Sequence, residues 1–268
     1  MIEQTSPAAL AMLRYLIGFL ILLPIAASVG WPRFARRDLL PIAALGALQF
    51  GVLILLLNVG LLFMPAGRAA LLFASFPLMT LLFAAALGRE RLTAIKTASV
   101  LLTLLGVGLA LGEGVLGQPV AEAEWLGALA VLASASCGAV CSLLYRPYLE
   151  RYATLPVSAF AMLASVLFLL PFALAEGLVE GLAAIEPGGW AAIGFIGASS
   201  GFGYFLWLWA LRHTTPTKVT VFLALSPLTA LLLGALLLDE PLSLAAFLGL
   251  GAIAGGLWLL HRPGRGAV

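Results

Sequence analysis

Long apolar segments, separated by short polar or Pro/Gly-rich breaks, make up almost the whole chain. Each segment is close to the roughly 20 residues that a helix needs to cross the hydrocarbon core of a bilayer. The segments are too long, and alternate too little, to be the strands of a β-barrel. The pattern therefore predicts an all-α, polytopic membrane helix bundle with nine transmembrane spans, numbered one to nine: 8–29, 39–61, 66–88, 94–111, 125–145, 156–175, 189–211, 217–238 and 243–260.

The composition excludes a soluble protein. Hydrophobic residues make up 63% of the 268 positions and charged residues only 10%, whereas soluble domains average about 45–50% apolar and about 25% charged residues. The net charge of +2 is too small to indicate binding to nucleic acid. We therefore expect the chain to be surrounded by the lipid bilayer and to have no nucleic-acid partner.

Basic residues are concentrated on one predicted side of the membrane. Apart from Arg14 and Arg68, every Lys and Arg lies in or beside a connection that follows an odd-numbered span, or after span nine. Connections rich in Lys and Arg remain in the cytoplasm. The sequence therefore predicts a multi-pass protein of a bacterial inner membrane, with the N-terminus outside and a short tail, 263–268, in the cytoplasm.

The two halves of the chain resemble each other when one is shifted by 150 residues. The shift superimposes Pro77 on Pro227 and Glu90 on Glu240, within matching apolar segments. Span three is predicted to run inward and its equivalent, span eight, outward. Inverted repeats of this kind are typical of secondary transporters. We predict a first repeat at 1–112 and a second at 125–262; the equivalent of span five would fall before Met1, so the first repeat is expected to lack its first helix.

Three segments carry a resemblance to a known family: SPAALAMLRYLIGFLILLP, GRAALLFASFPLMTLLFAAALGRERLT and TKVTVFLALSPLTALLLGALLLDEPLS. They resemble the EamA-type repeats of the drug/metabolite transporter superfamily. This resemblance implies ten helices in two inverted halves, with spans two, three, seven and eight of this chain lining a central cavity. It also implies transport of a small metabolite, such as export of an amino acid or a related solute.

Polar side chains within those four spans are the candidates for substrate binding, because polar atoms in the hydrocarbon core are costly. Gln49 is the strongest candidate, since an amide needs several hydrogen-bond partners. Each serine can also be explained by close helix packing. The candidates are Gln49 and Asn58 in span two, Ser75 in span three, Ser199, Ser200 and Tyr204 in span seven, and Ser226 in span eight.

Pro77 and Pro227 are expected to break spans three and eight. A proline has no N–H group and disrupts the bond to the carbonyl of residue i−4, here Phe73 and Leu223. Freed carbonyls at membrane depth are tolerated where they line a cavity. The two helix breaks are therefore predicted to lie at the substrate site.

Arg14 and Arg68 lie toward the outer face and depart from the charge pattern. Each can either attract an anionic group or extend to lipid phosphates, and we include Arg14 among the candidate substrate-binding residues. No Asp or Glu lies inside a predicted span. This argues against transport driven by a buried carboxylate.

Two other functions fit the sequence less well. Residues 197–201 match the G-x-S-x-G motif of serine hydrolases, but His213 is about 21 Å further along the same predicted helix. A non-transporting scaffold needs neither polar residues in the spans nor inverted halves. The predicted function is therefore a secondary transporter, not an enzyme, with no cofactor and no metal.

One glycine pair bears on packing and not on function. Gly251-x-x-x-Gly255 permits close helix contact within the protomer or in a homo-oligomer.

Overall fold

The computed structural model describes residues 6–30, 33–116, 123–226, 229 and 244–261. All secondary structure in these ranges is helical. The elements are α1 (Pro7–Val29), α2 (Arg36–Gly46), a π-helix (Ala47–Val52), α3 (Leu53–Phe63), α4 (Ala66–Phe73), α5 (Phe76–Ala86), α6 (Ala94–Leu116), α7 (Glu124–Leu144), α8 (Arg146–Arg151), α9 (Thr154–Ala175), α10 (Leu178–Ala184), α11 (Pro187–His213), α12 (Pro216–Val221), a 3₁₀ turn (Phe222–Ala224) and α13 (Leu244–His261).

The predicted spans correspond to these helices. Within the described ranges, six helical segments are long and apolar enough to cross a membrane, and two shorter apolar helices lie at Ala94–Ala110 and Phe247–Leu260. Span two is one continuous segment that contains the π-helix, and span three is interrupted between α4 and α5. Of span eight, only the part up to residue 226, together with 229, is described.

Local sequence signals account for several helix ends. Ser6 caps α1 by accepting a hydrogen bond from the N–H of Ala9 (3.3 Å), and Pro7 opens the helix. Gly88 follows α5 with a φ of 67°, and Gly177 follows α9 with a φ of 80°. This left-handed conformation, which favours glycine, ends both helices in short turns.

The helices form two compact units. The first is built from the described residues of Met1–Asn58 and Leu144–His213, and the second from those of Val59–Leu143 and Thr214–Val268. Each unit therefore combines helices from the first half of the chain with helices from the second half. The two sequence repeats are interleaved in the units.

In the first unit, α1 packs along α9. The N–H of Ala8, at the start of α1, donates to a carboxylate oxygen of Glu176, just after the end of α9, at 3.0 Å. Further along α1, a Cβ placed on Gly18 would lie 3.1 Å from the methyl carbon of Met162. Successive residues of α1 thus meet earlier residues of α9, so the two helices are antiparallel.

In the second unit, α6 and α13 make the most extensive contact between two helices. A Cβ on Gly106 would lie 2.7 Å from the carbonyl oxygen of Gly249, and a Cβ on Gly256 would lie 2.8 Å from that of Ser99. The 150-residue shift converts the first contact into the second, because it pairs Gly106 with Gly256 and Gly249 with Ser99. These two helices are therefore equivalent in sequence, antiparallel in space and related by a local two-fold axis.

The close approach of α6 and α13 does not use the Gly251-x-x-x-Gly255 pair. A Cβ on Gly251 would meet nothing within 4 Å among the described residues, and one on Gly255 would lie 3.6 Å from Leu102. Gly249 and Gly256, seven residues apart, face α6 instead. Two turns of helix bring them to the same side, which the four-residue spacing did not predict.

Candidate substrate-binding site

A chain of aromatic rings runs through the first unit. The ring centroids of Tyr15 and Phe50 are 4.5 Å apart, those of Phe50 and Tyr204 are 4.2 Å apart, and those of Tyr204 and Tyr145 are 6.3 Å apart. All three tyrosines are buried. The contacts join α1, the π-helix, α11 and the end of α7, so four separate elements meet through their aromatic side chains.

Gln49 lies in the π-helix directly before Phe50. Its Oε1 atom is buried and accepts no hydrogen bond from the described part of the chain. A buried acceptor left without a donor costs about 1–3 kcal/mol, and π-helical turns are frequent at functional sites. At Gln49 the unmet acceptor and the widened helix turn occur together.

Arg14 lies at the α1 end of the aromatic chain. Its guanidinium carbon is 4.5 Å from the ring centroid of Tyr15, and its Nη2 donates a hydrogen bond to the Tyr15 hydroxyl. The Nε atom is buried and has no hydrogen-bond partner within the described ranges. Arg14 therefore offers one unused donor beside a flat aromatic surface.

The structure joins two of the predicted residues, Arg14 and Tyr204, through the rings of Tyr15 and Phe50. A third, Gln49, directly precedes Phe50 in the π-helix. The other candidates there are placed differently: Asn58 and Ser200 are half-buried, and Ser199 is exposed. Gly197 and Gly201, on the side of α11 that faces α1, make the close helix contact.

Sequence reasoning missed Tyr15, Phe50 and Tyr145. Each lies in a long apolar stretch, where an aromatic residue is normally a packing residue. The available signal was the pair Arg14–Tyr15, a charged residue followed by a polar aromatic one inside a span.

Ser75 lies at the predicted break of span three, in the second unit. The helix stops at Phe73 and restarts at Phe76, and the Ser75 hydroxyl donates to the carbonyl of Leu72 at 2.6 Å. Pro77 lies in the first turn of α5, where it needs no helical N–H partner. The interruption of span three thus lies directly before Pro77.

Span eight shows a related irregularity at the equivalent position. α12 gives way to a 3₁₀ turn at Phe222–Ala224, and these residues match 72–74 under the 150-residue shift. Ser226, which follows the turn, is exposed. Pro227, predicted to cause the break, lies outside the described residues.

Carboxylates are buried at the ends of several helices, just outside the predicted spans. Arg68 forms an ion pair with Glu124 at 2.5 Å, and Lys96 forms one with Glu90 at 2.6 Å. The guanidinium of Arg68 thus binds a carboxylate of the protein, a contact that neither of its two predicted roles included. In the first unit, the Tyr152 hydroxyl donates to a buried Asp38 oxygen at 2.8 Å and Arg151 approaches the same carboxylate.

Within α11 the G-x-S-x-G match and the nearest histidine are far apart. Ser199 and His213 lie on one continuous helix, α11. The His213 ring is 4.4 Å from that of Trp209, and its Nδ1 is 2.8 Å from the Trp209 carbonyl oxygen. The His213 ring thus contacts the preceding turn of α11 and does not approach Ser199.

Comparison with known proteins agrees with this architecture. The model of the EamA-like transporter family matches residues 1–112 and 125–262. A solved structure described only as a protein crystal structure superimposes with a TM-score of 0.82 at 23% identity, over 95% of this chain and 88% of that one. That likeness establishes the fold.

Relatives of similar length are named as transporters. A probable terminal-alkyne amino-acid exporter of Streptantibioticus cattleyicolor is 30% identical, over 95% of this chain and 84% of the relative. A probable amino-acid metabolite efflux pump of Escherichia coli is 27% identical, over 96% and 86%. An uncharacterized transporter of Archaeoglobus fulgidus is 28% identical, over 96% and 89%. Together with the family match and the apolar helices, these relatives identify a multi-pass membrane transporter of the drug/metabolite transporter superfamily: the chain belongs to the EamA-like transporter family.

Proposed function

We propose that the protein is a secondary transporter that exports an amino acid or a related small metabolite by alternating access. The names of the Streptantibioticus and Escherichia relatives support this class of substrate. The interleaved, antiparallel arrangement of equivalent helices supports alternating access, since inverted repeats can exchange conformations to open a site to either face.

The observation that carries the proposal is the unmet acceptor of Gln49, the residue that directly precedes Phe50 of the aromatic chain. A zwitterionic substrate fits these groups: its ammonium group can donate to Gln49 Oε1, its carboxylate can accept from Arg14 Nε, and its apolar part can lie against Phe50 and Tyr204. The participation of Asn58, Ser75, Ser199, Ser200 and Ser226 stays a prediction.

Gln49→Leu tests the proposal. The substitution keeps a similar side-chain size but removes the acceptor, so we expect counterflow of amino acids in proteoliposomes to fall by about tenfold or more, the loss that corresponds to about 1.4 kcal/mol. Ser28→Ala is the control, because the Ser28 hydroxyl is exposed and donates only to Ile25 of its own helix. Equal flux in Gln49→Leu and the parent would remove Gln49 from the site.

The same assay separates the rival functions. Flux of intact solute supports a transporter, whereas cleavage of the solute supports a hydrolase. If the parent protein catalysed no counterflow with any member of an amino-acid and metabolite panel, the transporter proposal would be rejected.

A further inference from the structure

Two short half-helices occupy equivalent positions in the second unit. α4 (Ala66–Phe73) precedes the break in span three, and α12 (Pro216–Val221) precedes the 3₁₀ turn of span eight. At both interruptions the backbone hydrogen bonds span three residues instead of the four of an α-helix. The N–H of Ser75 donates to the carbonyl of Leu72 at 3.0 Å, and the N–H of Leu225 donates to the carbonyl of Phe222. Short 3₁₀ stretches inside helices often mark hinges.

Each half-helix is attached near its first residue to a buried carboxylate from another part of the unit. Arg68 of α4 donates to both oxygens of Glu124, at 2.7 and 2.5 Å, and the two side chains are 12% and 10% exposed. The N–H of Thr217, in α12, donates to Glu90 at 3.2 Å. The Glu90 side chain is 1% exposed and also binds Lys96.

The two attachments lie at opposite ends of the same membrane-crossing segment. Arg68 is near the start of Ala66–Ala86, and Glu90 follows its end. Twenty-two residues of helix rise about 33 Å, which is close to the thickness of the hydrocarbon core. One attachment therefore belongs to each face of the membrane, with Glu90 on the side of the basic connections.

Each attachment resists separation for an electrostatic reason. Separating Arg68 from Glu124 would leave two unpaired charges in a poorly solvated place, which is strongly unfavourable. At the other attachment Glu90 keeps its ion pair with Lys96, and separation from Thr217 costs it a charge-assisted hydrogen bond from the backbone. α4 and α12 must either keep these contacts or move far enough for water to replace them. The contacts thus favour two discrete positions of each half-helix.

We propose that the Arg68–Glu124 pair and the Glu90–Thr217 contact are latches that hold the outer half-helix α4 and the inner half-helix α12 closed, and that transport releases them in turn. The inference rests on the proposed function, because it assigns a gate to each face of a transporter. Loss of the Arg68–Glu124 latch is expected to open the outer face, and loss of the Glu90–Thr217 latch is expected to open the inner face.

Accessibility of a cysteine probe tests this proposal independently of flux. The two native cysteines, Cys137 and Cys141, are free and would be replaced by alanine, and Ser75→Cys would place a probe at the helix break. A membrane-impermeant maleimide is added to right-side-out or inside-out vesicles. We expect Arg68→Gln to raise labelling from the outer face relative to the inner face by about tenfold, as loss of a buried charge partner predicts, and Glu90→Gln to shift the ratio the opposite way.

Matched variants separate a latch from general loosening. Glu124→Gln should reproduce the effect of Arg68→Gln, and the exchange Arg68→Glu with Glu124→Arg should restore the parent ratio. Arg146→Gln should change nothing, because the Arg146–Glu150 pair is exposed. If Arg68→Gln reduces the amount of inserted protein, Arg68→Lys, which keeps the charge but loses the two-oxygen contact, should give a smaller shift in the same direction.

The outcomes are distinct from those of the transport assay. Three results would overturn the latches even if counterflow were observed. The first is a parent-like labelling ratio in both Arg68→Gln and Glu90→Gln, and the second is a shift of both ratios in the same direction. The third is that no variant is labelled, either at Ser75→Cys or at a second probe, Ser200→Cys. Opposite shifts with no counterflow would keep the latches and reject the proposed function.

Discussion

At the scale of single residues, two candidate residues directly precede members of the aromatic chain: Gln49 precedes Phe50, and Arg14 precedes Tyr15. Gln49 Oε1 and Arg14 Nε are both enclosed, and neither has a hydrogen-bond partner in the described ranges. Most buried polar atoms in proteins are bonded, so such exceptions need a reason. A substrate that brings its own donor and acceptor is the reason that we propose for both.

Arg14→Lys tests the arginine without removing its charge. Lysine lacks Nε and the flat guanidinium that lies against the Tyr15 ring, so we expect counterflow to fall by about tenfold while the protein still inserts. Arg212→Lys, an exposed arginine at the end of α11, is the control and should keep the parent rate. Parent-like flux in Arg14→Lys would show that the charge alone suffices.

Sequence could predict the polar part of this site but not the aromatic part. An amide or a guanidinium inside an apolar stretch stands out because its burial is costly. Tyr15 and Phe50 do not stand out, since aromatic residues lower their free energy by burial anywhere in a core. Their role depends on which rings they contact, and only the three-dimensional packing shows that.

At the scale of elements, the π-helix of span two has a packing reason. In an α-helix, residues five apart point about 140° away from each other. Gly46 packs on the backbone of Ala161 and Gly51 on the ring of Phe168, so both face α9 although they are five residues apart. The wider π turn brings the two glycines to one side and places Gln49 and Phe50 elsewhere around the helix.

The contact between α6 and α13 gives a prediction with a control on the same helix. A Cβ on Gly106 would lie 2.7 Å from the Gly249 carbonyl oxygen, whereas one on Gly108 would meet nothing within 4 Å in the described structure. We expect Gly106→Ala to lower the thermal midpoint of unfolding in detergent, because overpacking against backbone costs about 1–3 kcal/mol. Gly108→Ala should leave the midpoint unchanged or raise it slightly; equal midpoints for both variants would contradict this packing.

At the scale of the whole molecule, the long apolar segments predicted the helices that the structure describes, and the 150-residue shift was sufficient to pair equivalent positions in α6 and α13. Gly106 with Gly249 and Ser99 with Gly256 are contacts that the shift interconverts. The interleaving was not predictable in the same way. A repeat shows which helices are alike, but not which helices touch, because contacts depend on how the two halves fold around each other.

The predicted orientation in the membrane can be measured with reporter fusions. We expect a fusion after Arg89, in the connection that follows α5, to be fluorescent with green fluorescent protein and inactive with alkaline phosphatase, since basic connections stay in the cytoplasm. A fusion after Gly177, which follows α9, should give the reverse. The same result at both positions would exclude the predicted orientation.

The interleaving also has a consequence for biosynthesis. The partner of α1 in its own unit is α9, and the Ala8–Glu176 hydrogen bond joins residues that are 168 positions apart. A ribosome must therefore deliver most of the chain to the membrane before the first helix can meet the surface on which it finally rests. A chain interrupted in its middle therefore contains no complete unit, because each unit takes helices from both halves of the chain.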